Sequence, residues 1–125
     1  MTPMDPVTGI SLGRIALGIG AIVAPDPTAR VLGLDPAVNP QLSYFGRMFG
    51  AREIALGAVT LASGGALRRN LTLVGIAVDA ADAATGVAEV RARHIGKPSG
   101  AMLSGVALGA VVSGVAALVM NRRGS

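Results

Sequence analysis

Apolar residues dominate four stretches of this chain, roughly residues 7–24, 42–65, 71–90 and 100–120. Each is close to the ~20 residues that carry a helix across a ~30 Å hydrocarbon core. The last has no Asp, Glu, Lys or Arg, so nothing in it opposes burial in lipid. Between the first two stretches, Asp26 is a plausible N-cap, Pro27 suits a first helical position and Gly33 suits a stop. One or two turns of helix are therefore expected there. With Val31, Leu32 and Leu34 apolar but Asp26, Arg30 and Asp35 polar, this short helix is expected at the membrane interface. The second stretch starts near Gln41, after Asn39-Pro40, and ends at Ser63-Gly64-Gly65. Arg68, Arg69 and Asn70 then read as a short connection, which makes the flanking helices antiparallel neighbours. Gly96, Pro98, Ser99 and Gly100 break the chain before the last stretch. The expected architecture is all-α: one polytopic domain over residues 1–125, a bundle of four transmembrane helices with a short interfacial helix between the first and second.

Composition agrees with a membrane class. The 125 residues are 51% hydrophobic, with a mean hydropathy of +0.59. The expected location is the plasma (inner) membrane, multi-pass. The opening MTPMDPVTG lacks the positive region of a signal peptide, and Pro25 follows Ala24 where cleavage would have to fall, so the first stretch reads as a retained anchor. Basic residues are evenly split between the two ends of a four-span bundle, and both ends of the chain are expected on the cytoplasmic side. The formal charge of +4 does not make a nucleic-acid binder, because the basic residues form no long run and Tyr44, Phe45 and Phe49 are the only aromatics. Arg68, Arg69, Arg91, Arg93, Lys97, Arg122 and Arg123 instead sit at helix ends, where side chains reach lipid phosphates. Without cysteine there is no disulfide, thiol nucleophile or Cys-ligated metal, and the lone His94 reads as a solvated loop histidine.

Membrane helices associate through close backbone approach, which favours small residues at their seams. The chain has 18 glycines. In the last stretch Ala101, Gly105, Gly109, Ser113 and Ala117 recur every fourth residue and form a shallow groove, which can be read as packing within the bundle or, since this helix is uncharged, as a face expected to meet a partner. Gly9/Gly13, Ala16/Gly20/Ala24 and Gly46/Gly50 form shorter rows.

Charges inside the stretches form a second pattern: Arg14, then Arg47, Arg52 and Glu53, then Asp79, Asp82 and Glu89. At 1.5 Å per residue, Arg52, about ten residues into its helix, and Asp79, about eight into the next, lie at similar depth. Arginine's planar fork matches a carboxylate bidentately and keeps its proton, so a clamp from Arg52 to Asp79 or Asp82 is expected, with Arg14 taking the remaining acid. Arg14, Arg47, Arg52, Glu53, Asp79 and Asp82 thus make an intramembrane charge network. It can be read as an internal fastener or as a proton or substrate relay through Asp79, Asp82 or Glu53. No serine has a histidine partner, no Gly-rich loop follows a strand and no His/Asp ligand cluster is present, so no catalysis, cofactor or metal is expected.

Arg14, the Pro27-Thr28-Ala29-Arg30-Val31-Leu32-Gly33 turn, Phe49-Gly50-Ala51-Arg52-Glu53-Ile54-Ala55-Leu56-Gly57 and Val78-Asp79-Ala80-Ala81-Asp82 follow one another in an order that resembles a group of uncharacterised four-helix membrane proteins of actinobacteria. The resemblance runs from about Gly9 to Gly86 and implies the four-helix fold with its charged network. Small proteins of this build are similar to accessory subunits of large envelope complexes, among them Mce-type lipid importers and respiratory supercomplexes. The function this implies is a non-catalytic accessory subunit of a larger membrane complex, in contact with lipids and with no nucleic acid. The alternative is a small proton-coupled transporter acting as a homo-oligomer.

Overall fold

The computed structural model describes residues 5–124, with side chains described through residue 120. Residues 1–4 at the opening of the chain and the side chains of Arg122 and Arg123 lie outside the described residues. The elements are α1 (Pro6–Val23), α2 (Pro25–Val31), α3 (Leu42–Ala62), α4 (Gly65–Arg91) and α5 (Lys97–Gly124). No strand occurs among the described residues.

Local chemistry sets the helix ends. The Asp5 carboxylate accepts from the Val7 N–H at 3.1 Å and Pro6 occupies the first turn, where its missing N–H costs nothing. Ala24 alone separates α1 from α2, because Pro25 cannot donate to the α1 ladder but suits the start of a new helix. So α2 begins just before the expected cap, and Asp26 lies in its first turn, where a carboxylate favours the helix dipole. At its far end Gly33 takes φ +87°. Its N–H donates to the Arg30 carbonyl at 3.0 Å, and Leu34 N–H to Ala29 at 2.9 Å, closing a Schellman motif. Arg93, at φ 62°, closes α4 in the same way without a glycine.

The expected connection at Arg68, Arg69 and Asn70 is instead helical. The turn needs only Ser63 and Gly64, both extended, with Gly65 at φ +58°. Arg68 is held in α4 by reaching across to α1, where its Nη2 donates to Asp5 and to the Thr8 hydroxyl, each at 2.8 Å.

α1 packs antiparallel to α3 and α4 packs antiparallel to α5; the two pairs touch each other only lightly. Backbone approach holds the first pair. A methyl group at Gly18 would sit 2.5 Å from the Gly50 carbonyl oxygen, and one at Gly57 2.6 Å from that of Ser11. The seam therefore runs through Ser11, Gly18, Gly50 and Gly57. Of the glycines in the rows expected from sequence, Gly50 lies in this seam, whereas Gly13 faces open space, Gly20 faces Thr28 of α2 and Gly46 faces Pro25. In the second pair Gly86 meets Ser104, Gly100 meets Val90 and Gly114 meets Ile76.

What is inside and what is outside is reversed relative to a water-soluble bundle. The buried apolar residues are Val7 and four alanines, Ala21, Ala83, Ala107 and Ala117, while Ser11, Glu53, Thr60, Thr72 and Asp79 are also buried. Leucine, valine and methionine side chains face outward along every long helix. Among the described residues three helices, Pro6–Val23, Gly65–Arg91 and the Lys97–Met120 part of α5, are long and apolar enough to cross a membrane. Although 21 residues long, α3 is not among them, because Arg47, Arg52 and Glu53 offset its apolar residues.

Candidate functional site: a charged cluster at the base of an apolar cleft

Asp79 and Gly75 are one turn apart on the inner face of α4, opposite Arg14 of α1. Arg14 donates through Nη1 to Asp79 Oδ1 at 3.1 Å and through Nη2 to Oδ2 at 2.5 Å. The same Nη1 reaches Glu53 Oε2 of α3 at 3.0 Å. Gly75 makes the room: a methyl group there would lie 2.8 Å from Arg14 Nη2. On the other side of Glu53, Arg52 Nη2 donates to Glu53 Oε1 at 3.4 Å and to Asp82 Oδ2 at 2.7 Å. Its guanidinium carbon also stands 5.1 Å from the centre of the Phe49 ring, a cation–π distance.

The result is a chain, Asp79–Arg14–Glu53–Arg52–Asp82, that ties α1, α3 and α4 together. It has a closed end and an open end. Asp79 and Glu53 are only 5% and 3% exposed, whereas the Arg52 and Asp82 side chains are 39% and 34% exposed. Its three carboxylates and two guanidiniums leave a net charge of −1.

Sequence reasoning gave Arg52 a choice of Asp79 or Asp82 and Arg14 the remainder. In the structure Arg52 takes Asp82 and Arg14 takes Asp79 together with Glu53. Arg47 lies outside the network. Its Nε donates to the Ile22 carbonyl at 3.2 Å, one of the last carbonyls of α1, which have no partner within their own helix. Glu89 lies away from the cluster, at the loop end of α4, where its Oε2 is 2.7 Å from His94 Nδ1. Gly75 and Phe49 were missed; the signal for Gly75 was its spacing of four before Asp79, which puts both on one helical face.

Oxygens of Glu53, Asp79 and Asp82 come within 4.8 Å of one another, so these are the residues that could offer ligands to a hard cation. The two guanidiniums already use those oxygens and supply the countercharge.

The cluster forms the base of a cleft of about 590 Å³ between the two helix pairs. Leu17, Phe45, Phe49, Leu103 and Val106 are among its apolar walls. The short helix α2 covers its end: Pro25, Thr28, Ala29 and Leu32 face the cleft, and the Gly33 carbonyl accepts a hydrogen bond from the Ser99 hydroxyl of α5.

The small residues of α5 divide into two faces. Gly100, Ser104, Ala107, Gly114 and Ala117 face inward. Ala101, Gly105, Gly109 and Ser113 face outward and are exposed, so of the row expected to face a partner only Ala117 is buried. Methyl groups at Gly105 or Gly109 would meet nothing within 4 Å. Ser113 turns its hydroxyl back to the Gly109 carbonyl at 2.8 Å, which leaves that row without a free donor.

No family model, curated protein or solved structure matches this chain.

Proposed function

We propose that this chain is a four-span protein of the plasma membrane and a non-catalytic accessory subunit of a larger membrane complex. The observation that carries the reading is the outer row of α5: Ala101, Gly105, Gly109 and Ser113 are small, uncharged and uncovered, while a separate face of the same helix already packs on α4. A helix of another protein can approach such a row to backbone distance, which is how helices associate where lipid removes the hydrophobic drive. The resemblance seen in the sequence makes an Mce-type lipid importer the first host to test. Support for a crossing by α3 comes from helix direction. Asp5 meets Arg68 and Arg14 meets Asp79, so α1 and α4 run parallel, and a chain that crosses twice in one direction must return between.

The test is purification of the tagged chain at native expression in mild detergent, with mass spectrometry of what accompanies it, beside a Gly105→Leu/Gly109→Leu variant. Importer subunits in fixed ratio with the wild type, lost from a variant that remains folded, are the expected result. A wild-type chain that purifies alone overturns the reading. The cleft and its charged base favour a second reading, a small proton-coupled transporter, which requires pH-dependent flux of a solute by the purified chain in liposomes.

A further inference from the structure

We propose that the cleft beneath α2 is a binding site for a lipophilic organic monocation, with Asp82 supplying the counter-charge. The proposal stands whether or not the chain joins a larger complex.

Size comes first. At about 590 Å³ the cleft falls within the ~300–1,000 Å³ that hold small-molecule ligands, and its lining is mostly apolar. Its charge is unbalanced. The ionisable side chains on the wall are Arg14, Arg52, Glu53, Asp79, Asp82 and Glu89, four carboxylates against two guanidiniums. Both guanidiniums are engaged, Arg14 by Asp79 and Glu53 and Arg52 by Glu53 and Asp82. Against a mostly apolar wall such an excess is less screened than in bulk water and draws in a cation.

Asp82 is the carboxylate of the cluster that a ligand can reach. Its side chain is 34% exposed, and a carboxylate has about four acceptor positions, of which Arg52 uses two. Phe45 adds an aromatic ring to the lining, while the Phe49 ring already carries Arg52.

Other occupants fit less well. An anion meets the wrong sign, and of the two threonines on the wall Thr85 turns its Oγ1 to the Ala81 carbonyl at 2.8 Å, which leaves only Thr28 to donate. A metal ion needs about six oxygens, whereas the oxygens here are already shared with arginine and the remaining wall is apolar. A cation with an apolar body uses both the charge and the volume.

The experiment titrates tetraphenylphosphonium into the purified full chain in uncharged maltoside micelles at low salt. Tetraphenylborate, of the same shape and opposite charge, is the control. Saturable one-to-one binding of the cation, at least about tenfold tighter than the anion, is expected, since a charge contact of about 1.4 kcal/mol is a factor of ten. Asp82→Asn should weaken the cation by a similar factor. Because that change also touches Arg52, Gly13→Leu provides the independent variant: it leaves the charges alone and projects into the cleft from a position where an added methyl group meets nothing within 4 Å. Its expected result is loss of cation binding with unchanged helical signal and elution volume. Equal affinity for the two ions, no saturable cation binding, or wild-type affinity in folded Gly13→Leu each overturns the proposal. None of these outcomes bears on the subunit reading, which depends on the outer face of α5.

Discussion

At the scale of single residues, Arg14 is the centre of the charged cluster. It pairs with both of the most buried acids, donating to both oxygens of Asp79 and to one of Glu53, whose other oxygen Arg52 reaches at 3.4 Å. Removing one partner from a buried pair costs about 3–5 kcal/mol, because the other charge is left without compensation. Arg14→Ala should therefore lose about that much in detergent unfolding. Arg52→Ala should lose about 1 kcal/mol or less, since its pair with Asp82 is a third or more exposed on both sides. A larger loss from Arg52→Ala than from Arg14→Ala would overturn this order. The acids and arginines of the cluster were legible in the sequence, because charges at membrane depth are conspicuous against an apolar background. How they divide was not. That depends on Gly75, whose missing side chain lets the Arg14 guanidinium reach Asp79, and on the lateral placement of α1 beside α4, which helical periodicity does not encode.

At the scale of elements, the glycines are not equivalent. Gly50 lies where α1 and α3 backbones touch, and an added methyl group would sit 2.6 Å from the Gly18 carbonyl oxygen. Gly50→Ala should force the helices apart and cost about 1–3 kcal/mol. Gly109→Ala meets no neighbour within 4 Å; it should be neutral or gain up to about 1 kcal/mol, because alanine is the better helix former. Thermal unfolding of the two variants in one detergent checks the contrast, and equal effects would remove the basis for separating an inner seam from an outer face. Small-residue spacing could be read from sequence, but which row becomes the seam could not, since rows one residue apart on α5 are chemically alike and only the neighbouring helix distinguishes them. The start of α4 was misread for a related reason. Arg68 and Arg69 resemble a polar connection, yet Arg68 finds Asp5 and Thr8 on α1 and the helix continues through it.

At the scale of the whole molecule, helix direction determines where α3 can lie. Asp5 pairs with Arg68 at one end and Arg14 with Asp79 further along, so α1 and α4 are parallel; α3 packs antiparallel to α1 through Gly18–Gly50 and Ser11–Gly57. The Ala24–Gln41 connection and the loop after α4 therefore fall at one end of the bundle, and the Ser63-Gly64 turn at the other. The charges that keep α3 from being apolar enough to span by composition alone all find partners within the chain: Glu53 and Arg52 in the cluster, Arg47 on the Ile22 carbonyl. Internal partners reduce the cost of carrying those charges across lipid. The chain has no cysteine of its own, so single substitutions Val38→Cys, Gly64→Cys and Gly96→Cys report position cleanly. A membrane-impermeant maleimide should label Val38→Cys and Gly96→Cys from one side and Gly64→Cys only from the other. Labelling of all three from the same side would place α3 along the surface. Parallel α1 and α4 must enter the membrane from the same face, whereas a surface-lying α3 would leave α4 to enter from the face that α1 exits and so to run antiparallel to it; the four-span reading and the charged cluster's depth would then fall together.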